Sequence, residues 1–280
     1  GLNHFTGRLF FWVSQSVTGI LDEYPGAAAA YSLRLLNTDY TGDAVTVRRS
    51  SDNQTINIGF VDGELNTGAL NTFCSGADGF VTVWHDQSGN GNNATQSTAS
   101  SQPKIFDSVN GIIEVNGKPA VYTDGVDDFI ESPSLSLSNP TTQFFIFKTL
   151  GTSTSDVIGG LRFGLANAPS LICRDINNLS IYQQGPEFSP KIPHDGNQIL
   201  VTAKSSTIGT DWAAFYNSNT VLNGGEDIGS ITGSLIRFGS QGELVDFGEN
   251  YLQEYILYDS DETGNRVGIE TNINDFYSIY

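Results

Sequence analysis

The 280-residue sequence contains no methionine, only two cysteines and few charged residues, and these scarcities limit what it can be. Charged residues make up 16% of the chain and hydrophobic residues 38%, which excludes a disordered chain and predicts a folded core. No apolar run reaches the length of a transmembrane helix, and residues 9–13, the most hydrophobic N-terminal stretch, lack the flanks of a signal peptide. The missing methionine, with Gly1 at the start, predicts a processed or incomplete chain.

Basic residues are scarce as well. The chain has 13 lysines and arginines against 31 aspartates and glutamates, so its formal charge is −18. A surface of this sign repels phosphate backbones and anionic membranes, which excludes nucleic acid as a partner. It remains compatible with neutral glycans, cations or a basic protein. Because the acidic residues are scattered, a solubilising surface is the simplest interpretation of the charge.

Several common catalytic and metal-binding patterns are missing. Cys74 and Cys173 lie far apart and could form a disulfide or remain as two buried thiols. The histidines at positions 4, 85 and 194 lack the spacing of zinc ligands. No Gly-x-Ser-x-Gly elbow or phosphate-binding loop is present, so serine hydrolases of that type and nucleotide-binding proteins are excluded.

What the sequence does contain is a long series of short β-type segments separated by turn residues. This spacing predicts a β-sandwich or barrel rather than alternating strands and helices. Predicted strands cover residues 44–48, 55–60, 80–84, 111–115, 120–123, 129–131, 144–150, 157–165, 179–183, 198–205, 212–217, 233–238 and 251–258. Helices are predicted at residues 27–36, 67–73 and 261–280.

The most informative segment is WHDQSGNGNN at residues 84–93, where a β-rich stretch ends in a polar, glycine-containing turn. It follows AYSLRLL at 30–36, VTVRRSSD at 45–52 and LNTFC at 70–74. In this order, the segments resemble the start of the catalytic domain of α-L-arabinofuranosidase B, glycoside hydrolase family 54. The resemblance covers residues 31–96 and implies a β-sandwich that faces carbohydrate.

The sequence differs from that family at the cysteines and the catalytic acids of the family's active site. The family has a second cysteine soon after the Cys74 position, and its sugar pocket contains two adjacent cysteines; neither feature occurs here. A retaining glycosidase needs two carboxyl groups about 5 Å apart. The family's catalytic acids lie in the later half of the domain, and no family motif surrounds the later acids here, including Asp175, Glu187, Asp211, Glu243 and Glu249. No catalytic residue is therefore predicted.

A second resemblance covers the rest of the chain. KPAVYTDGVDDFI at 118–130 resembles an early strand pair of laminin-G-like domains, and LQEYILY at 252–258 resembles their last strand. The resemblance implies an all-β, antiparallel, concanavalin A-like jelly-roll sandwich with a few short helices. Residues 27–280 would form one domain, and residues 1–26 a leader or attachment segment. In the C-terminal helix, Ser260 is the predicted N-cap, and Ile269, Ile273, Phe276 and Tyr280 form a stripe that would cap the sandwich.

Candidate ligand-binding side chains lie in three places. In the first, the WHDQ segment, Trp84 could stack on a sugar ring while Asp86 and Gln87 bind its hydroxyl groups. Alternatively, Asp86 and Ser88 only close their turn. In the second, two aromatic residues share one face of a strand, either as a stacking platform or as core. The predicted ligand-binding residues are Trp84, His85, Asp86, Gln87, Trp212 and Tyr216.

The third place is the Asp-Gly-Val-Asp-Asp segment. Asp124, Asp127 and Asp128 could bind Ca²⁺, which prefers oxygen ligands, although this sequence also makes a good hairpin turn. Calcium is the one cofactor that the sequence suggests.

These observations predict a non-enzymatic, glycan-recognising or adhesive domain. The combination resembles surface proteins of marine bacteria and the fibre or decoration proteins of their phages, so the expected location is extracellular or on a virion surface. The expected partners are a glycan or cell-surface polysaccharide and other virion or surface subunits. The alternatives are a glycoside hydrolase of arabinofuranosidase type and a purely structural assembly subunit.

Overall fold

The computed structural model describes residues 18–138, 140–150, 157–163, 170–175, 178–182, 192–193, 196–205, 213–223, 234–240 and 246–280. The described chain is dominated by β-strands. The strands are β1 (Ala27–Ser32), β2 (Val45–Arg49), β3 (Thr55–Ile58), β4 (Phe60–Val61), β5 (Glu64–Leu65), β6 (Gly79–Trp84), β7 (Ala94–Thr95), β8 (Lys104–Asp107), β9 (Gly111–Ile112), β10 (Glu114–Val115), β11 (Lys118–Pro119), β12 (Val121–Asp124), β13 (Ile130–Glu131), β14 (Thr141–Thr149), β15 (Val157–Phe163), β16 (Ser170–Asp175), β17 (Asn178–Tyr182), β18 (Ile192–Pro193), β19 (Ile199–Ser205), β20 (Ala213–Tyr216), β21 (Asn219–Asn223), β22 (Ser234–Phe238) and β23 (Glu249–Tyr258). The helices are α1 (Ile20–Glu23), α2 (Thr67–Cys74) and α3 (Arg266–Tyr277), with a short 3₁₀ helix at Ala99–Ser101.

The strands form two layers of antiparallel sheet. In the first layer, β23 pairs with β1 and β12 on one side and with β14 on the other, and β14 continues through β19 and β20 to β21. In the second layer, β2 lies between β3 and β6, while β22 lies between β13 and β15. Strand β8 pairs with both β6 and β12 and so joins the layers. The predicted all-β antiparallel sandwich with a few short helices is confirmed.

Two hydrophobic cores follow from this arrangement. The larger lies between the sheets and includes Tyr31, Trp84, Phe145, Phe238 and Tyr255. The smaller lies between the outer face of the first sheet and helices α1 and α3. Side chains of β14 alternate between the two cores from Phe144 to Phe147, and those of β23 do so from Tyr255 to Tyr258, as the two-residue repeat of a strand requires.

The prediction of a helix at residues 27–36 is wrong, because this segment contains strand β1. Alanine favours helices, but here Ala29 and Tyr31 enter the larger core while Ala27 and Ala30 enter the smaller one. Burial on both faces, together with pairing to β23, outweighs the intrinsic helix preference of the alanines.

The predicted helices at α2 and α3 are confirmed, and α3 covers the sandwich with a stripe that differs in detail. Ile269 and Ile273 are buried as expected, but Tyr277 takes the last buried position and Tyr280 is 52% exposed. The N-cap is Asn265 rather than Ser260, whose hydroxyl instead donates a hydrogen bond to Glu262. No helix within the described ranges is long and apolar enough to cross a membrane.

Candidate functional site

The indole of Trp84, the predicted sugar-stacking residue, lies inside the larger core. Its exposed fraction is 0%, and its ring packs 6.0 Å from Tyr31 and 5.6 Å from Phe238 between ring centroids. Strand β6 turns Trp84 inward together with Val81. The structure therefore places the ring in a packing role, where a sugar cannot stack on it.

Asp86 and Gln87 bind the backbone of the segment that they face. The Asp86 carboxylate accepts from the backbone N–H groups of Ala30, Ser88 and Asn92 and from the Ser88 hydroxyl. The Gln87 amide accepts from the Leu36 N–H at 2.8 Å and donates to two backbone carbonyls, at residues 32 and 34. Both side chains are buried. In this geometry they hold the loop against β1, which is the turn-closing alternative.

The remaining predicted aromatic and imidazole residues are dispersed. His85 is half-buried, with its Nε2 2.9 Å from the Thr46 hydroxyl, and burial lowers its pKa below the usual value. Tyr216 lies on β20 and packs against the larger core. Trp212 lies outside the described residues. The structure therefore does not bring the five predicted ligand-binding residues that it describes together at one surface.

The acidic hairpin between β12 and β13 does bring its three carboxylates together. Carboxylate oxygens of Asp124, Asp127 and Asp128 lie within 4.8 Å of one another. Asp124 accepts from the N–H groups of Val126 and Asp127, the pattern of a side chain that closes a turn. The calcium prediction for these three residues stays a prediction, since such a cluster can equally stand without an ion.

Asp128 differs from its neighbours because it is buried, with 7% of its surface exposed. Burial, followed by the charges of Asp124 and Asp127, raises the pKa of Asp128 to about 7. The desolvation penalty falls on the charged form, so the carboxyl group keeps its proton close to neutral pH. Raised carboxyl pKa values of this kind are typical of proton donors in active sites.

Asp128 packs against the segment that follows β22. Gly239 adopts a φ of +88°, and a Cβ atom there would lie only 2.6 Å from the Asp128 carbonyl oxygen, so the close approach requires glycine. The next residue, Ser240, is 2% exposed, and its hydroxyl has no hydrogen-bond partner among the described residues. The same holds for the indole N–H of Trp84, which packs on Phe238. This end of the sandwich thus combines a buried carboxyl group of raised pKa with two buried donors that have no hydrogen-bond partner in the part of the chain that the structure describes.

No local pattern marks Ser240 as a buried residue, because a serine after a strand is typical of a turn. Its burial depends on a bridge to Phe247 and on the hydrogen bond from the Gly248 N–H to the Gly239 carbonyl, both of which join segments separated in sequence. Cys74 is a buried free thiol whose pKa burial raises to about 11, so it is poorly reactive.

The fold of this chain is similar to that of two solved arabinofuranosidases. The structure of an arabinofuranosidase complexed with arabinofuranosyl-α-1,2-xylobiose covers 91% of this chain with a TM-score of 0.69 at 17% identity. A family 54 α-L-arabinofuranosidase soaked with a cyclic sulfate inhibitor gives a TM-score of 0.70 at 16% identity. This chain covers 63% of each of those chains. At such low identity the likeness establishes the fold.

Sequence comparison points to the same enzymes over a shorter span. Residues 22–121 match the model of the catalytic domain of α-L-arabinofuranosidase B. A probable α-L-arabinofuranosidase B of Aspergillus terreus is 40% identical over 74 residues, which is 26% of this chain and 15% of the relative. An α-L-arabinofuranosidase of Hypocrea jecorina is 40% identical over 73 residues, with the same coverage. The resemblance to family 54 is thus supported, and the chain spans only a small part of these curated relatives.

These matches correct the predicted function. A non-enzymatic recognition or adhesion domain of a virion or bacterial surface is contradicted, because the matching family model is that of a catalytic domain and the curated relatives are arabinofuranosidases. The alternative, a glycoside hydrolase, is the better interpretation. The laminin-G-like resemblance of residues 118–130 stays a prediction.

Proposed function

We propose that this chain is a glycoside hydrolase that releases α-L-arabinofuranosyl groups. The observation that carries the proposal is the match of residues 22–121 to the arabinofuranosidase B catalytic domain. The shared fold over 91% of the chain supports it beyond the matched segment. Substrate class and activity come from relatives that this chain covers only in part, so both belong to the proposal.

The chemistry requires a proton donor and a second carboxylate. In retaining glycosidases the two groups lie roughly 5 Å apart, one acting as acid and base and the other as nucleophile. We assign the first role to Asp128, which has a carboxylate oxygen within 4.8 Å of one of Asp124 and a pKa raised to about 7, although the acids of the resembled family lie in the later half of the domain. Asp124 suits the second role because its carboxylate is exposed and has one oxygen within 4.8 Å of an Asp128 carboxylate oxygen.

Substrate location follows from substrate size. Arabinofuranosyl side groups of a polysaccharide belong to a polymer that cannot cross a membrane, so we propose that the chain works outside the cell. A neutral polysaccharide also avoids repulsion from a protein of formal charge −18.

The test is release of 4-nitrophenol from 4-nitrophenyl α-L-arabinofuranoside. We expect measurable turnover by the parent chain and a loss of at least about a hundredfold for Asp128→Asn, the usual size of a general-acid contribution. Asp52→Asn, which changes an exposed carboxylate that pairs with Arg49 and is not part of the hairpin, is the matched control and should keep full activity. No turnover by the folded parent on this substrate would overturn the proposed function. Full activity of Asp128→Asn would overturn only the assignment of the proton donor.

A further inference from the structure

A row of four side chains crosses the outer face of the first sheet. The strand register places Lys104 opposite Tyr122, Tyr122 opposite Tyr251, and Tyr251 opposite Lys148. The two tyrosine rings lie 5.0 Å apart between centroids at an angle of 47°, and the Lys148 amine lies 5.9 Å from the Tyr251 ring centroid. Four neighbouring strands span about 14 Å, so the row offers an elongated surface.

These two rings form the floor of a groove, which we call the tyrosine groove. It has a volume of about 330 Å³. Its wall is formed by residues of the segment 107–114, which includes the turn between β8 and β9. Asp107, Asn110 and Glu114 place carboxylate and amide groups along the wall. An aromatic floor with polar groups at its side is the arrangement that binds rings having both apolar faces and hydroxyl groups.

The groove is open because the helices cover only the other end of this sheet face. Ile146 and Ile256 lie under α1 and α3 in the smaller core, whereas Tyr122, Lys148 and Tyr251 are only half-buried. The Tyr122 hydroxyl donates to Glu249 at 2.7 Å, which fixes the orientation of the ring. A fixed ring loses little conformational freedom when a ligand binds.

Charge in the groove favours a neutral ligand. Lys104 is already paired, 3.0 Å from Asp78 and 3.5 Å from Asp107. The carboxylates of Glu114 and Glu249 add negative charge, in a protein whose formal charge is −18. A polyanionic polysaccharide would be repelled, while a neutral sugar chain would not.

The groove leads towards the acidic hairpin. Asp124 pairs with Glu249 one row beyond Tyr122 and Tyr251, and the two-residue repeat of a strand places both rows on the same face. We propose that the tyrosine groove binds the neutral backbone of an arabinofuranosyl-substituted oligosaccharide. This inference rests on the proposed function for the identity of the sugar, while binding itself requires no hydrolysis.

The probes are xylohexaose and soluble arabinoxylan, with binding measured by isothermal titration calorimetry and by retardation in affinity gels. We expect the parent to bind both probes, and Tyr251→Ala and Tyr122→Ala to weaken binding at least about tenfold, which is 1.4 kcal/mol. Tyr251→Phe keeps the ring and should bind like the parent. Tyr40→Ala, which removes a half-buried tyrosine outside the groove, is the matched control and should also bind normally. Polygalacturonate should not bind.

A second variant tests the groove without changing either tyrosine. Asn110→Tyr places bulk on an exposed turn at the groove wall and should block both probes while leaving the melting temperature unchanged. Absence of binding by the folded parent, or equal binding by the parent and both alanine variants, would overturn the inference. Turnover of 4-nitrophenyl α-L-arabinofuranoside separates the two proposals, because this small substrate needs no groove. Binding without turnover contradicts only the hydrolase, and turnover without groove-dependent binding contradicts only the groove.

Discussion

The buried ion pair between Arg34 and Glu254 offers a sharp test of how the sandwich is held together. The Glu254 carboxylate accepts from the Arg34 Nε at 2.7 Å and Nη2 at 2.9 Å, and from the Ser32 hydroxyl at 2.7 Å. Tyr277 of α3 donates to the same carboxylate at 3.2 Å. The Glu254 side chain is 0% exposed and that of Arg34 is 9% exposed, so the charges compensate each other away from water.

Replacing Glu254 with glutamine should destabilise the protein by about 3–5 kcal/mol, because the guanidinium then stays buried without a counter-charge. Arg34 also donates to Asn272 at 2.9 Å and lies 4.7 Å from the Phe276 ring centroid, so it cannot turn to solvent without releasing α3. Arg34→Met in the Glu254→Gln background removes the unpaired charge. The double variant should therefore be more stable than the sum of the single losses implies.

The assay is urea unfolding followed by tryptophan fluorescence, with free energies from linear extrapolation. Asp52→Asn is the matched control, since Arg49 and Asp52 form an arginine–carboxylate pair whose side chains are 27% and 41% exposed. An exposed pair should contribute at most about 1 kcal/mol. If Glu254→Gln costs no more than Asp52→Asn, the reasoning from burial is refuted.

Three further predictions follow from the hairpin and the loop after β6. The folded-state pKa of Asp128, about 7, exceeds its unfolded value of 3.8, so the folded state binds more protons than the unfolded state between these values. The free energy of unfolding of the parent should therefore fall as the pH rises from about 4 to about 7. Asp128→Asn should remove that decrease in urea titrations at several pH values, and an unchanged slope would contradict the assignment. Gln87→Leu leaves three buried backbone groups without their hydrogen-bond partner and should lower the free energy of unfolding by about 3 kcal/mol or more in the same assay. Weaker sugar binding at unchanged stability would instead favour a ligand-binding role for Gln87. The predicted calcium site competes with the catalytic assignment, because Ca²⁺ bound to these carboxylates would keep Asp128 ionised. If calcium binds, millimolar Ca²⁺ should raise the melting temperature of the parent but not of Asp127→Asn, and no rise in the parent would contradict the calcium prediction.

The sequence predicts best those elements whose signal is local. Alternating residues identify β2, β6 and β23, and the Asn66-capped helix α2 begins at the predicted residue, Thr67. Strand β1 was missed because its pairing with β23 joins residues more than 200 positions apart, and no local pattern encodes that contact. Strand β16 was missed as well, since Ser170–Asp175 mixes polar and apolar residues without clear alternation.

The site was harder to predict than the fold because side-chain direction depends on which face of a strand is covered. WHDQ presents an aromatic ring beside polar groups in sequence, yet strand β6 turns Trp84 into the core and the loop turns Asp86 and Gln87 onto β1. Conversely, Tyr122 and Tyr251 are far apart in the chain and become neighbours only through the register of β12 and β23. A binding surface made by strand pairing cannot be found by scanning for motifs.

The distribution of the family resemblance has a physical explanation in these contacts. The matched residues 22–121 supply β1, the loop that Gln87 and Asp86 fix to it, and Arg34. These side chains depend on one another, because each forms hydrogen bonds with buried polar groups that would otherwise lack a partner. Strand β23, outside the matched segment, supplies the buried Glu254 carboxylate that pairs with Arg34. The fold is shared over 91% of this chain, whereas the family model matches residues 22–121, the part that supplies most of these buried polar contacts.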